Sequence, residues 1–173
     1  MSNWWDDALW DTCSLITLDL LVQWDEGFRL RIGAPHYVPY SLSHDDLRPE
    51  TAERLRTIVG AAVAPPDPLT AIGIVRRAGL GPSVAEVDRA VFVTAVHHAL
   101  NVVTADKQLA RALVARGRQV ASVAIILKEL VAGSALTTQA CDSALAYLVS
   151  QQEFLLPPDG PQGWAGLRNH RFP

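Results

Sequence analysis

Four aspartates carry most of the chemistry this chain can offer. Asp11 stands between the apolar "ALW" and "TCSLITLDLL", and Asp106 follows "NVVT" by two positions. Both are expected to end a strand and open a helix, the address at which doubly wound sheets bind ligands. Taken singly, each also reads as a helix N-cap. Asp88 sits in "SVAEVDRAVFVTAV", where Ser83 and Glu86 form a capping box and Val84, Val87, Val91 and Ala95 recur at helical spacing. A carboxylate on that apolar stripe is costly unless it is paired or coordinated. The choices are a distant Arg or a site, and the lack of Lys or Arg one turn away on that face favours a site. Asp45, flanked by His44 and Asp46 in "YSLSHDDL", is open between a solvated first helical turn and a site role.

Acids gathered in one cavity repel each other and raise one another's pKa, so the group asks for a hard cation. All-oxygen ligation with retained water suits Mg²⁺ or Mn²⁺. The matching chemistry is polarisation of a phosphodiester and activation of water.

The elements that must position these acids follow from periodicity. Short apolar runs at 8–11, 36–39, 102–104 and 120–122 read as buried strands. Helices are expected over 13–24, 42–59, 68–77, 84–100, 107–115, 123–132 and 137–151. Alternation of this kind specifies an α/β domain with a mostly parallel sheet. "AVAPPDPLT" reads as a loop between helices. One domain over 1–156 and a Pro- and Gly-rich tail over 157–173 are expected, the tail extended or mobile with Trp164 and Phe172 as anchors.

Of the 173 residues, 49% are hydrophobic and 19% charged, enough apolar material for a sizeable core. The formal net charge of −3 argues against a histone-like electrostatic grip on nucleic acid and leaves local basic patches open. Cys13 and Cys141 are too few for a disulfide scaffold or a cysteine metal cluster, so a reducing cytoplasm is the expected location. "MSNWWDDALW" does not read as an export signal. Runs such as "VASVAIIL" fall far short of the roughly 20 residues a membrane span needs.

In its motifs the chain resembles the PIN-domain ribonucleases, and within them the VapC-like toxin branch. "WDTCSLI" is similar to that family's opening strand ending in Asp-Thr, and "YVPYSLSHDDL" to its second motif. "SVAEVDRAVFVTAVHHALNVVTADKQLARAL" joins an acid in an apolar helix to a Thr-x-Asp after the next strand, at the family's usual interval. "ARGRQVASVAIILKELVAGSALT" looks like its last strand and following helix. The resemblance implies a three-layer α/β/α domain and a metal-dependent endoribonuclease that leaves a 5′-phosphate and a 3′-hydroxyl. It implies Asp11, Asp45, Asp88 and Asp106 as the acidic quartet for Mg²⁺ or Mn²⁺, with Thr104 and Thr12 positioning ligands or water. It further implies an RNA substrate, an antitoxin partner and a homodimer. The family prefers Glu where Asp45 stands, which points to contact through water, to Asp46 instead, or to a weakened nuclease. The Trp4 and Trp5 leader is an addition suited to oligomer or partner contacts.

Two other readings compete. A degenerate PIN domain would bind RNA or protein without cutting. A receiver-like or phosphatase-like acid pocket is disfavoured by the Asp88 to Asp106 spacing and by the lack of an Asp-x-Asp motif. Lys107, Arg111 and Arg89 flank the acids as potential phosphate contacts, with Arg76, Arg77, Arg116 and Arg118 as weaker ones. Adjacent His97 and His98 cannot both face one metal and read as surface or packing residues.

Overall fold

The computed structural model describes residues 3–43, 47–80 and 84–173. Its centre is a parallel sheet of β1 (Leu9–Trp10), β2 (Val102–Val103) and β3 (Val120–Ala121), in that order. Leu9 pairs with Val102 and Val102 with Val120. Successive strand residues face opposite sides, so the short strands serve two cores. Trp10 and Val103 enter one with Leu15, Leu18, Leu55 and Leu127; Leu9 and Val102 enter the other with Val91, Phe92 and Leu109.

Helices cover both faces. On the first lie α1 (Thr12–Trp24), α3 (Pro49–Ile58), α7 (Val123–Ala132) and α8 (Thr138–Ser150). On the second lie α4 (Pro68–Ala78), α5 (Glu86–His98) and α6 (Lys107–Val114). The α/β expectation therefore holds, with strands and helices near their expected places.

Several elements differ from expectation. The run at 36–39 makes isolated parallel bridges, Leu9 to His36 and Tyr37 to Ala62, because Pro39 instead opens a 3₁₀ turn, Pro39–Leu42. The single helix expected over 42–59 starts instead at Pro49, whose fixed φ and missing N–H suit a first helical position. Ser83 lies outside the described residues, and α5 starts at Glu86 without a side-chain cap. Trp5 is buried in the core, and half-buried Trp4 packs edge-on against its ring.

Two short helices have no counterpart in the periodicity. In α2 (Gly27–Ile32), Phe28 and Ile32 are sealed in the core. In α9 (Gly163–Leu167), Leu167 is fully buried and the helix packs on α7 and α8. The tail, expected to be extended or mobile with Trp164 and Phe172 as anchors, is docked, with Trp164 packed against the core, and Lys128 Nζ donates to His170 O at 3.3 Å near its end. Among the described residues no helix is long and apolar enough to cross a membrane.

Candidate functional site

Parallel pairing brings Asp11 and Asp106 to the same edge of the sheet. The Asp11 N–H donates to Val103 O at 3.1 Å, which fixes its backbone to the neighbouring strand. Its carboxylate caps α1, with Oδ1 accepting the Ser14 N–H at 2.7 Å. Asp106 likewise caps α6, with Oδ1 accepting the Leu109 N–H at 2.7 Å. The capping expected for each is present, and capping occupies only part of each carboxylate.

Thr104 links the two. Its N–H donates to Ala121 O, and its hydroxyl accepts the Asp106 N–H at 3.0 Å. The same hydroxyl lies against the Asp11 carboxylate, to which it hydrogen-bonds. Asp11 is 3% exposed whereas Asp106 is open to solvent, so the first forms the floor of the site and the second its rim. Burial pushes the Asp11 carboxyl above its ordinary range, Thr104 and Ser14 oppose this by hydrogen bonding, and the Asp106 charge adds to the rise. Among the described residues no Lys or Arg forms an ion pair with Asp11.

Asp88 stands in the first turn of α5 and is half-buried, so it is not sunk in the core stripe as expected. The stripe itself, Val84, Val87, Val91 and Ala95, is buried. Asp45 lies outside the described residues, as do His44 and Asp46. Thr12 turns its hydroxyl to Ser41 O at 3.4 Å, pinning α1 to the 3₁₀ turn. His97 and His98 are exposed, and His98 Nε2 meets Ala64 O at 3.0 Å.

Cys13 reports on the neighbourhood. Partial desolvation of its sulfur pushes the thiol up to about 11, aided by the charges of Asp11, Asp88, Glu153 and Asp106. One thiol therefore senses four carboxylates. Glu153 is the one that periodicity did not reveal. It follows Gln152, whose φ of 64° turns the chain back after α8, and its Oε1 accepts the Thr17 hydroxyl at 2.9 Å. No local pattern announces that contact, which spans most of the chain.

The donor set of Asp11, Asp106 and Thr104 is all oxygen and includes a buried acid with no ion-pair partner among the described residues, which fits a hard cation that keeps much of its water. Among the described residues no three His, Cys, Asp or Glu side chains cluster tightly enough to hold a metal ion by themselves. The chain matches no family model, no curated protein and no solved structure.

Proposed function

We propose that the protein is a metal-dependent endoribonuclease of PIN-like architecture, the toxin of a toxin and antitoxin pair. The observation that carries this reading is the buried Asp11, which meets no Lys or Arg among the described residues, beside Asp106 at the carboxyl ends of adjacent parallel strands. Asp11 and Asp106 would hold Mg²⁺ or Mn²⁺, with Asp88 and Asp45 completing the acidic set. A divalent cation there would polarise a phosphodiester and lower the pKa of water. The chain's own groups divide the remaining work. Thr104 fixes both aspartates, Asp106 faces solvent to meet the scissile ester, and Lys107 beside it attracts phosphate. A homodimer and an antitoxin partner belong to this reading through the family resemblance alone.

A second reading is a PIN-like module that binds RNA or protein without cutting. The absence of a tight three-ligand cluster among the described residues, and Asp45 where Glu is usual, favour it.

Labelled tRNA, ribosomal stem-loops and single strands, incubated with Mg²⁺ or Mn²⁺, decide between them. Discrete products from wild type, lost in EDTA and reduced by roughly a hundredfold or more in Asp11→Asn and Asp88→Asn, are expected. No cleavage by folded wild type in either metal overturns the nuclease and leaves the binding module.

A further inference from the structure

The segment that follows α9 runs back toward the acids. Fully buried Leu167 fixes its root, and two backbone bonds then turn the chain, Asn169 N–H to Gly166 O at 3.2 Å and His170 N–H to Leu167 O at 3.0 Å. Beyond that turn, 171–173 make no backbone hydrogen bond among the described residues. His170 and Phe172, both half-buried, form one wall of a cleft of about 290 Å³. Ser14 and Thr17 of α1, Ala105, Lys107 and Glu153 stand in its other walls. Ala105 lies between Thr104 and Asp106, so the segment borders the candidate site.

A stretch with few backbone bonds and little buried surface opens at low cost while the core stays shut. Two contacts hold this one. Phe172 leans into the cleft wall, and Lys128 Nζ donates to His170 O at 3.3 Å, among the described residues the one hydrogen bond that reaches the segment from the body of the fold. That bond sets an ammonium group against the residue whose own ring can become a cation.

The charges around His170 are one-sided. Helix α7 brings Lys128, and α6 brings Lys107, which lines the same cleft. Exposed Arg168 and Arg171 flank the ring on its own segment, and α9 carries no charged side chain. Asp106, beside Lys107, turns its carboxylate to cap α6. Glu153 is the one acid lining the cleft, and it is engaged by the Thr17 hydroxyl at 2.9 Å. Burial first, and then Lys107 and Lys128, hold the His170 ring below its ordinary pKa of 6.5.

We propose that segment 168–173 is a proton-operated strap, seated against the cleft beside Asp106 while His170 is neutral and released when His170 takes up a proton and joins Lys107 and Lys128 as a third cation. The released ring titrates at the ordinary value and the seated ring lower. Seating therefore weakens as pH falls from 6.5 toward the seated value and levels off below it. Release opens the approach to Ala105 and Lys107, and through them to the rim of the site at Asp106. The strap thus goes beyond the nuclease reading and stands without it, since it governs access for any ligand of that edge.

The test follows the metal-free full chain by NMR from about pH 8 to about pH 5, the range in which histidine changes charge. The heteronuclear NOE of the Arg171 and Phe172 amides reads fast local motion, and the His170 ring resonances read its protonation. Both amides are expected to be ordered at the upper end and to lose order in step with a ring titration centred below 6.5. His170→Gln, which takes no proton, keeps the strap seated throughout, and Lys107→Gln moves the midpoint up toward 6.5. Amides already mobile at the upper end, order unchanged across the range, or the same loss in His170→Gln overturns the strap. Neither cation nor cleavage enters the measurement, so a chain that cuts no RNA keeps the strap if these signals move, and a chain whose signals stay still keeps the nuclease reading.

Discussion

Asp11 and Asp19 stand eight positions apart at the start and in the middle of one helix, both almost sealed from water, and the chain treats them in opposite ways. Asp19 is answered in full. Arg54 places Nε 2.9 Å from Oδ1 and Nη2 2.7 Å from Oδ2, and Gln23 adds a third donor at 2.9 Å. The bonds to Asp19 in turn hold the Arg54 guanidinium above its usual range. Asp11 receives two hydroxyls, one backbone N–H and the repulsion of Asp106. The fold is therefore able to place a cation against a buried acid of α1, and at the sheet edge it places another acid instead. Among the described residues no cation meets Asp11, and the metal proposal assigns that role to a divalent ion.

The contrast can be broken by removing the one partner it relies on. Arg54→Ala strands the Asp19 charge and is expected to cost about 2–4 kcal/mol, toward the low side for buried pairs because Arg54 is partly solvated. Thermal melts read the loss, and Asp19→Asn in the same chain should recover most of it. A silent Arg54→Ala would make the two acids alike. The next largest effect belongs to the cation. At a hundredfold excess over Kd, Mg²⁺ or Mn²⁺ should stabilise wild type by about 2.7 kcal/mol, with no rise in melting temperature for Asp11→Asn. Equal melts with and without metal would leave Asp11 a strained cap and nothing more.

A smaller effect sharpens the comparison without metal. Asn caps a helix as well as Asp does, so Asp11→Asn in EDTA keeps the cap, removes the buried charge and should raise the melting temperature by a few degrees. The pH dependence has a fixed sign. The folded state holds the Asp11 proton more tightly than the unfolded chain, whose carboxyl titrates near 3.8. The contribution of Asp11 to stability is therefore greatest below that value and declines as pH climbs through the raised folded pKa. The gap between wild type and Asp11→Asn should widen across that interval. Smallest of all, Mg²⁺ among the acids should draw down the Cys13 pKa from about 11 and speed its alkylation by iodoacetamide a few-fold near neutral pH. Buried Cys141 serves as the unreactive internal control.

Part of this geometry is legible in the sequence. Asp11 and Asp106 could be placed because a strand end followed by a helix start is a local signal, carried by "LWDT" and by "VVTADK". Helix α7 was bounded to the residue because Ser122 and Gly133 punctuate an apolar run. Asp88 differs from expectation: it stands in the first turn of α5 and is half-buried, while the stripe of Val87, Val91 and Ala95 is sealed. Contacts between distant segments left no trace at all. Glu153 reaches Thr17 only after the turn at Gln152, and Arg54 finds Asp19 only once α3 lies on α1. Helix α9 lacks periodicity because five residues cannot show any, and its place is set by Leu167 entering the core.

The sheet's pairing order also fixes when the site comes into being. β2 and β3 are joined by α6 alone, a short loop to close, whereas Leu9 must find Val102 across most of the chain. Closing the longer loop costs more entropy, and contacts of high sequence separation slow folding. Asp106 and Thr104 thus belong to a local unit, whereas Asp11 joins them only through a long-range pairing. A partly folded chain holds half a site, so any activity of these acids becomes an all-or-none property of the finished sheet. Protection of the Asp11 amide against hydrogen exchange then marks the moment of maturation.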